Sequence, residues 1–223
     1  MLGDCLPQGE DVSVKPQCDF IGQGGCSMLA ILTALVTLSA APVTAATSKA
    51  KVECSIAALD GCRNTNVLVG DPAFARAVRR FVGPTRVRFL YAGPLNDQQM
   101  EVLGGPPDPP VRIGSLYRFT ACRYHDCTEK GAVVLEPQGR IVATAVLHST
   151  CILPRASPTC FNENVLSVFV RDPSGAKVVV DNLSAWASAE IATEDFGLKD
   201  KARLMGVEIY SVATGTPKRV TLD

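Results

Sequence analysis

The residues of this chain best suited to chemistry lie together in one stretch, Ala121 to Cys127, reading A-C-R-Y-H-D-C. Cys122 and Cys127 bracket Arg123, Tyr124, His125 and Asp126, four side chains that donate or accept hydrogen bonds or carry charge. Asp126 stands where it can bond the neighbouring imidazole or a backbone amide and so orient His125. A bridge between the two cysteines closes a loop of six residues. It removes roughly 2 kcal/mol of chain entropy from the unfolded state. A loop shaped in advance also loses less entropy when a partner arrives.

Two other chemistries compete for the same residues. Cys122, His125 and Cys127, with Cys54 or Cys62 as a fourth ligand, are a zinc-type donor set, although structural zinc sites favour tighter cysteine spacings. A reactive dithiol is the other, but redox pairs usually have two residues between the thiols and a helix N-terminus beside them. Neither is expected here, and no metal or cofactor is. The chain has no nucleophile elbow, phosphate loop or paired acidic motif, and its two histidines leave little for acid–base catalysis. An enzyme is therefore the weaker reading.

The elements around the loop must hold it. An alternating apolar run (Tyr117, Phe119, Ala121) precedes it and a second (Ala132 to Leu135) follows, so the loop reads as a tip between two strands. Strands are expected over Val111 to Cys122, Ala132 to Glu136, Ile141 to Leu147, Val165 to Val170 and Lys177 to Val180, with Arg203 to Val212 as an edge strand. Turns at Pro137-Gln-Gly139 and Asp172-Pro-Ser-Gly175 make the connections short and the pairing antiparallel. Asp71-Pro72 opens a helix with Phe74, Ala77, Val78 and Phe81 on one face, and Gly83-Pro84 ends it. A second helix starts at Asp181 or Asn182 and carries Leu183, Trp186, Ala187, Glu190 and Ile191 on one side. Trp186 reads as a core anchor. The expected fold is α+β, a disulfide-linked central antiparallel sheet of about five strands with helices packed on it. Gly104 to Pro110 reads as a stiff spacer.

Met28 to Ala46 has the pattern of a secretory signal, cleaved after Ala45 or Ala46. Its strongly apolar part, Leu29 to Leu38, is short for a bilayer span, so stable membrane insertion is not expected after cleavage. Residues 1–27 form an acidic extension without domain character, and Met28 reads as the functional start. One of the 22 basic and four of the 22 acidic residues fall in the first 45, so the rest carries a net charge of +3. The expected organisation is an extension (1–27), a signal peptide (28–46) and one domain (47–223), and the expected location is periplasmic or secreted.

Six cysteines follow the signal, an even number that suits an oxidising compartment. Nearness favours Cys54–Cys62, Cys122–Cys127 and Cys151–Cys160, with other pairings open. The last pair closes an extra loop, Ser149 to Asn164. Arg76, Arg79, Arg80, Arg86 and Arg88 form a basic group that reads as a solvated face, with an anionic surface such as phospholipid headgroups as the alternative. Without interleaved aromatics it does not point to nucleic acid. His148 reads as structural.

The stretch Val111 to Leu135 resembles the Ivy family of periplasmic inhibitors of c-type lysozyme. Gly114 and Tyr117 lead into Cys122, and the loop ends His125-Asp126-Cys127, as in that family. Arg123-Tyr124 stands where the family commonly has Lys-Pro. The similarity continues more weakly to about Ile191. It implies a five-stranded antiparallel sheet with helices, an early helix, and inhibition by a loop histidine entering between the catalytic acids. On that implication His125 is the plug, Asp126 a supporting contact, and Cys122 and Cys127 hold the shape. The partner is then c-type lysozyme or a related muramidase. A non-enzymatic envelope module that binds peptidoglycan or controls an endogenous lytic transglycosylase is the alternative, and association of two copies is left open.

Overall fold

Apolar runs buried on both sides need cover on both sides, and that requirement explains the layers of this molecule. The computed structural model describes residues 53–150, 162–193 and 202–222. The elements in order are α1 (Thr65–Val69), α2 (Pro72–Val82), β1 (Arg86–Arg88), β2 (Ala92–Pro94), α3 (Leu95–Leu103), β3 (Val111–Ile113), β4 (Leu116–Arg123), β5 (Asp126–Leu135), β6 (Ile141–Ser149), β7 (Glu163–Val170), α4 (Lys177–Thr193), β8 (Arg203–Ser211) and β9 (Lys218–Val220). Strands β3 to β9 form one sheet in sequence order, and β1 and β2 form a separate hairpin.

The α+β class with disulfides is correct, but the sheet has seven strands and is mixed. Strand β8 runs parallel to β7, because helix α4 intervenes between them and a parallel return needs a crossover. Lys177 to Val180 is not a strand: it is the first turn of α4, which begins four residues before the expected Asp181. Three consecutive valines favour a strand locally. Here Val179 and Val180 pack against the sheet together with Leu183, and that burial outweighs propensity. The expected strand over Val111 to Cys122 is broken at Gly114, whose φ of 59° makes the turn between β3 and β4. β8 is covered by β9 at Ile209 to Ser211 and is therefore not a simple edge. The signal segment, the extension and the Cys151–Cys160 pair lie outside the described residues.

One face of the sheet offers Phe119, Val133, Leu135 and Phe169 to Phe74, Val78, Phe81 and Val82 of α2 and Leu95 and Leu103 of α3. Asp71 caps α2 as expected, accepting from Ala73 N at 2.8 Å. The other face presents Ala132, Ala143 and Ala145 among larger residues, and these small side chains let α4 seat Trp186 and Leu183 closely. Trp186 is 5% exposed, the core anchor anticipated, although its indole N–H has no partner among the described residues. No described helix is long and apolar enough to cross a membrane.

Two buried polar side chains tie the first face together. Gln98 of α3 accepts from Phe89 N and Leu90 N and donates to the carbonyls of Val87, Tyr91 and Gly93, so one amide holds the whole β1–β2 hairpin. His148 on β6 stacks on Phe89 at 4.5 Å, with its ring nitrogens 3.0 Å from Ser149 O and 3.1 Å from Ser167 Oγ. Burial holds the His148 pKa below its ordinary 6.5. The unfolded chain therefore takes the proton first, and stability falls as pH drops below about 6.5. Urea midpoints at pH 7.5 and 5.5 should show this loss in the native chain and a smaller one in His148→Gln.

Helix α3 approaches β5 so closely that a Cβ on Gly131 would sit 2.4 Å from Val102 Cγ2. Valine is stiff at χ1 and cannot swing away cheaply. Gly131→Ala should cost about 1–3 kcal/mol by overpacking, read as a lower urea midpoint with an unchanged slope.

Candidate functional site

Strands β4 and β5 pair regularly from Tyr117↔Leu135 to Cys122↔Lys130, and then the register jumps: Arg123 pairs with Asp126. The sequence therefore makes a two-residue turn, Tyr124-His125, followed by a bulge on β5 over 127–129. The bulge turns Cys127 back to Cys122, and the two are bonded with their Cα atoms 4.7 Å apart. Cys54 and Cys62 are bonded as well. The thiolates that a zinc site would need are thus in S–S bonds.

His125 occupies the third position of the turn with φ 68°, the only non-glycine positive φ among the described residues. A turn of that shape favours glycine or asparagine, and an L side chain there costs about 1 kcal/mol. Both His125 and Tyr124 are exposed, Tyr124 by 66%, and their rings meet edge to face at 4.1 Å. The imidazole points away from the core.

The other members of the stretch face inward or sideways. Asp126 does not hold the imidazole: its Oδ1 accepts from Thr128 Oγ1 at 2.5 Å and from Thr128 N at 3.3 Å, which stiffens the bulge. Cys122 is buried and Cys127 exposed. Tyr117 lies in the core at the other end of β4 from the tip, where its hydroxyl donates to Asp60 and Arg112 stacks over its ring at 4.0 Å. That bond ties the Cys54–Cys62 clip to β4.

Arg123 braces the tip. Its Nε donates to Glu101 of α3 at 2.6 Å and its Nη1 to Glu129 of β5 at 2.6 Å. Burial opposes the charge on Arg123, but the two carboxylates outweigh it and raise its pKa. At Glu129 burial wins and lifts the carboxyl above its ordinary value against the pull of Arg123. The 104–110 segment is more than a spacer. Gly105 lies flush on the tip, where a Cβ would stand 2.2 Å from Cys122 O and 2.7 Å from Tyr124 N. Cys122 N donates to Pro106 O at 3.0 Å and Asp108 N to Thr120 O at 3.1 Å, so the strap runs along β4 like a partial strand.

The charges at the base of the tip are paired: Glu101 and Glu129 both bond Arg123, and Lys130, opposite Cys122, lies 3.3 Å from Glu190 of α4. The basic group is exposed on α2 (Arg76, Arg79, Arg80) and on β1 (Arg86, Arg88). Residues 151–161 of the extra loop are outside the described part. Among the described residues no cluster of metal-ligating side chains is present.

Sequence reasoning missed Glu101, Glu129 and Thr128. Glu129 carries one signal: a charge within an inward-facing strand pattern demands a counter-ion, and Arg123 is the nearest candidate across the hairpin. Glu101 has none, since it is 22 residues from Arg123. No family model, no curated protein and no solved structure matches this chain. Truncating the brace should be costly. Arg123→Ala should lose about 2 kcal/mol by leaving Glu129 buried without its cation. Adding Glu129→Gln should recover part of the loss, since a neutral amide tolerates burial better, and a double-mutant urea cycle reads both.

Proposed function

We propose that this chain is an exported protein inhibitor of c-type lysozyme that blocks the catalytic cleft with the disulfide-closed tip carrying His125. The observation that carries this reading is the placing of His125: exposed, at the apex, in a left-handed conformation that glycine would adopt at lower cost. Local strain of this kind persists where the surrounding structure holds it, and it clusters at functional positions. The surrounding structure here is the Cys122–Cys127 bond, the Arg123 brace and the Gly105 strap.

The chemistry suits the proposed target. Lysozyme cleaves with two carboxyls about 5 Å apart, one of them kept protonated by its surroundings. An imidazole donates to one such group and accepts from the other, so a single ring satisfies both and excludes the sugar. Tyr124 meets that ring edge to face and adds contact area at small entropic cost, since an aromatic side chain has few rotatable bonds. Export to the periplasm is part of the proposal and rests on the signal pattern over 28–46.

Purified chain should slow lysozyme clearing of a peptidoglycan suspension, and His125→Ala should weaken it by at least about 30-fold, the scale of a central hot spot. His125→Gly separates function from folding: relief of the left-handed cost should hold or raise stability while inhibition is lost. Equal inhibition by the native and His125→Ala chains would discard the plug. Retention of the chain on insoluble peptidoglycan, with lysozyme unaffected, would favour the envelope-module reading.

A further inference from the structure

We infer that the arginine face formed by α2 and β1 docks on the surface of an anionic phospholipid membrane, held by lipid phosphates and without insertion. No residue of the tip takes part in it.

The sequence concentrates charge in this part of the chain. Between Asp71 and Asp97 stand five arginines, Arg76, Arg79, Arg80, Arg86 and Arg88, with neither an acid nor a lysine. The chain beyond residue 45 carries +3, so these five exceed the whole excess and the rest of it is net acidic. Folding puts the five on one outer surface. Phe74, Val78, Phe81 and Val82 of α2 and Val87 of β1 pack into the same core. Arg76, Arg79 and Arg80 leave the opposite side of the helix, and Arg86 and Arg88 flank Val87 on the opposite side of the strand. All five are exposed. The two sets meet at an open groove of about 440 Å³, lined by Arg79 and Arg80 from α2 and by Pro94, Asn96 and Asp97 from the other side. Pro94 is the register partner of Arg86, which places that arginine at the rim.

The described residues do not neutralise this face. Their ion pairs are made by Arg123, Lys130, Arg140, Lys177, Arg203 and Arg219, and by none of these five. The acids at its two ends are engaged elsewhere. Asp71 accepts from Ile56 N and Ala73 N, both at 2.8 Å, and Asp97 accepts from Asn96 Nδ2 at 2.5 Å. Arg76 and Arg80, one helical turn apart, repel each other, a cost that an anionic surface removes.

The chemistry selects the anion. A guanidinium presents a planar fork of donors that matches phosphate oxygens, and it gives up water more readily than an ammonium does. The face is one side of a helix beside one side of a hairpin, broad rather than deep, which suits a plane of headgroups. It offers bases no aromatic platform: Tyr91, the exposed ring of that hairpin, lies over Gly93, the register partner of Val87 on the core side. The apolar side of α2 is already buried in the core, so nothing is left to enter the acyl region and the attachment is electrostatic.

The test is sedimentation of the purified full chain with vesicles of phosphatidylglycerol and phosphatidylcholine in equal parts. Vesicles of phosphatidylcholine alone are the reference for whatever the apolar segment over 28–46 contributes. The native chain should partition at least about 100-fold better onto the anionic vesicles. That preference should vanish between about 0.1 M and about 1 M salt, as the screening length falls from roughly 10 Å to roughly 3 Å. Each arginine beside such a surface is worth roughly fivefold, so Arg79→Gln with Arg80→Gln, and separately Arg86→Gln with Arg88→Gln, should each lose about 25-fold. Lys177→Gln with Arg203→Gln, an equal change of charge on α4 and β8, should stay within about threefold of the native chain. The salt response of the native chain reads the face without any variant. Equal partitioning of the native chain onto both kinds of vesicle, or equal losses in all three double variants, would overturn the inference. Tight retention on double-stranded DNA with no preference for the anionic vesicles would do the same.

Discussion

The arrangement turns on one guanidinium held between two carboxylates. Arg123 is where the hairpin leaves the body of the protein, and without a fixed direction there the turn beyond it would swing. Glu101 fixes it to a helix and Glu129 to its own hairpin, each at 2.6 Å. A lysine could not reproduce this, because the planar fork of arginine reaches two acceptors along separate directions. Glu129 is buried, so the ionised form is tolerable only with the cation in place. The brace and the burial of that carboxylate therefore depend on each other.

The rest of the fold serves to bring α3 within reach. Gly131 lets the helix press onto β5 at Val102, one residue after Glu101. Gly105, just past the helix, lets the strap lie on the tip backbone. Gln98 on the same helix secures the β1–β2 hairpin. Helix α3 is thus the common support of hairpin, strap and tip. On the far face α4 covers the sheet over small side chains and reaches the base of the tip through Glu190, 3.3 Å from Lys130 Nζ opposite Cys122.

Much of this fold was legible from local pattern. The helix over Pro72 to Val82 announced itself through Asp71-Pro72 and its apolar spacing, and the strands β5, β6 and β7 through their apolar runs. Helix α3 did not, because its buried face carries Asn96, Gln98 and Gln99 as well as Leu95, Val102 and Leu103. Buried amides erase the polar–apolar alternation that periodicity reads. The valines at the start of α4 misled in the opposite direction, since a β-favouring triplet became helical once the sheet needed a cover. The parallel pairing of β7 with β8 followed from that same helix, while the seventh strand came from elsewhere: the break at Gly114 split one expected strand into β3 and β4, and β9 was added beyond β8.

By itself the sequence determined that two cysteines would close a short polar tip around His125, because neighbours in the chain are neighbours in a hairpin. It also determined the α+β class, since strand-like and helix-like periods alternate along it. Only the tertiary structure decided which way each tip residue faces. Arg123 turned inward, Asp126 turned to Thr128, and His125 was left outward in a conformation suited to glycine. Those directions depend on Glu101 and Gly105, which lie far from His125 along the chain, and contacts between distant residues leave no local pattern to read.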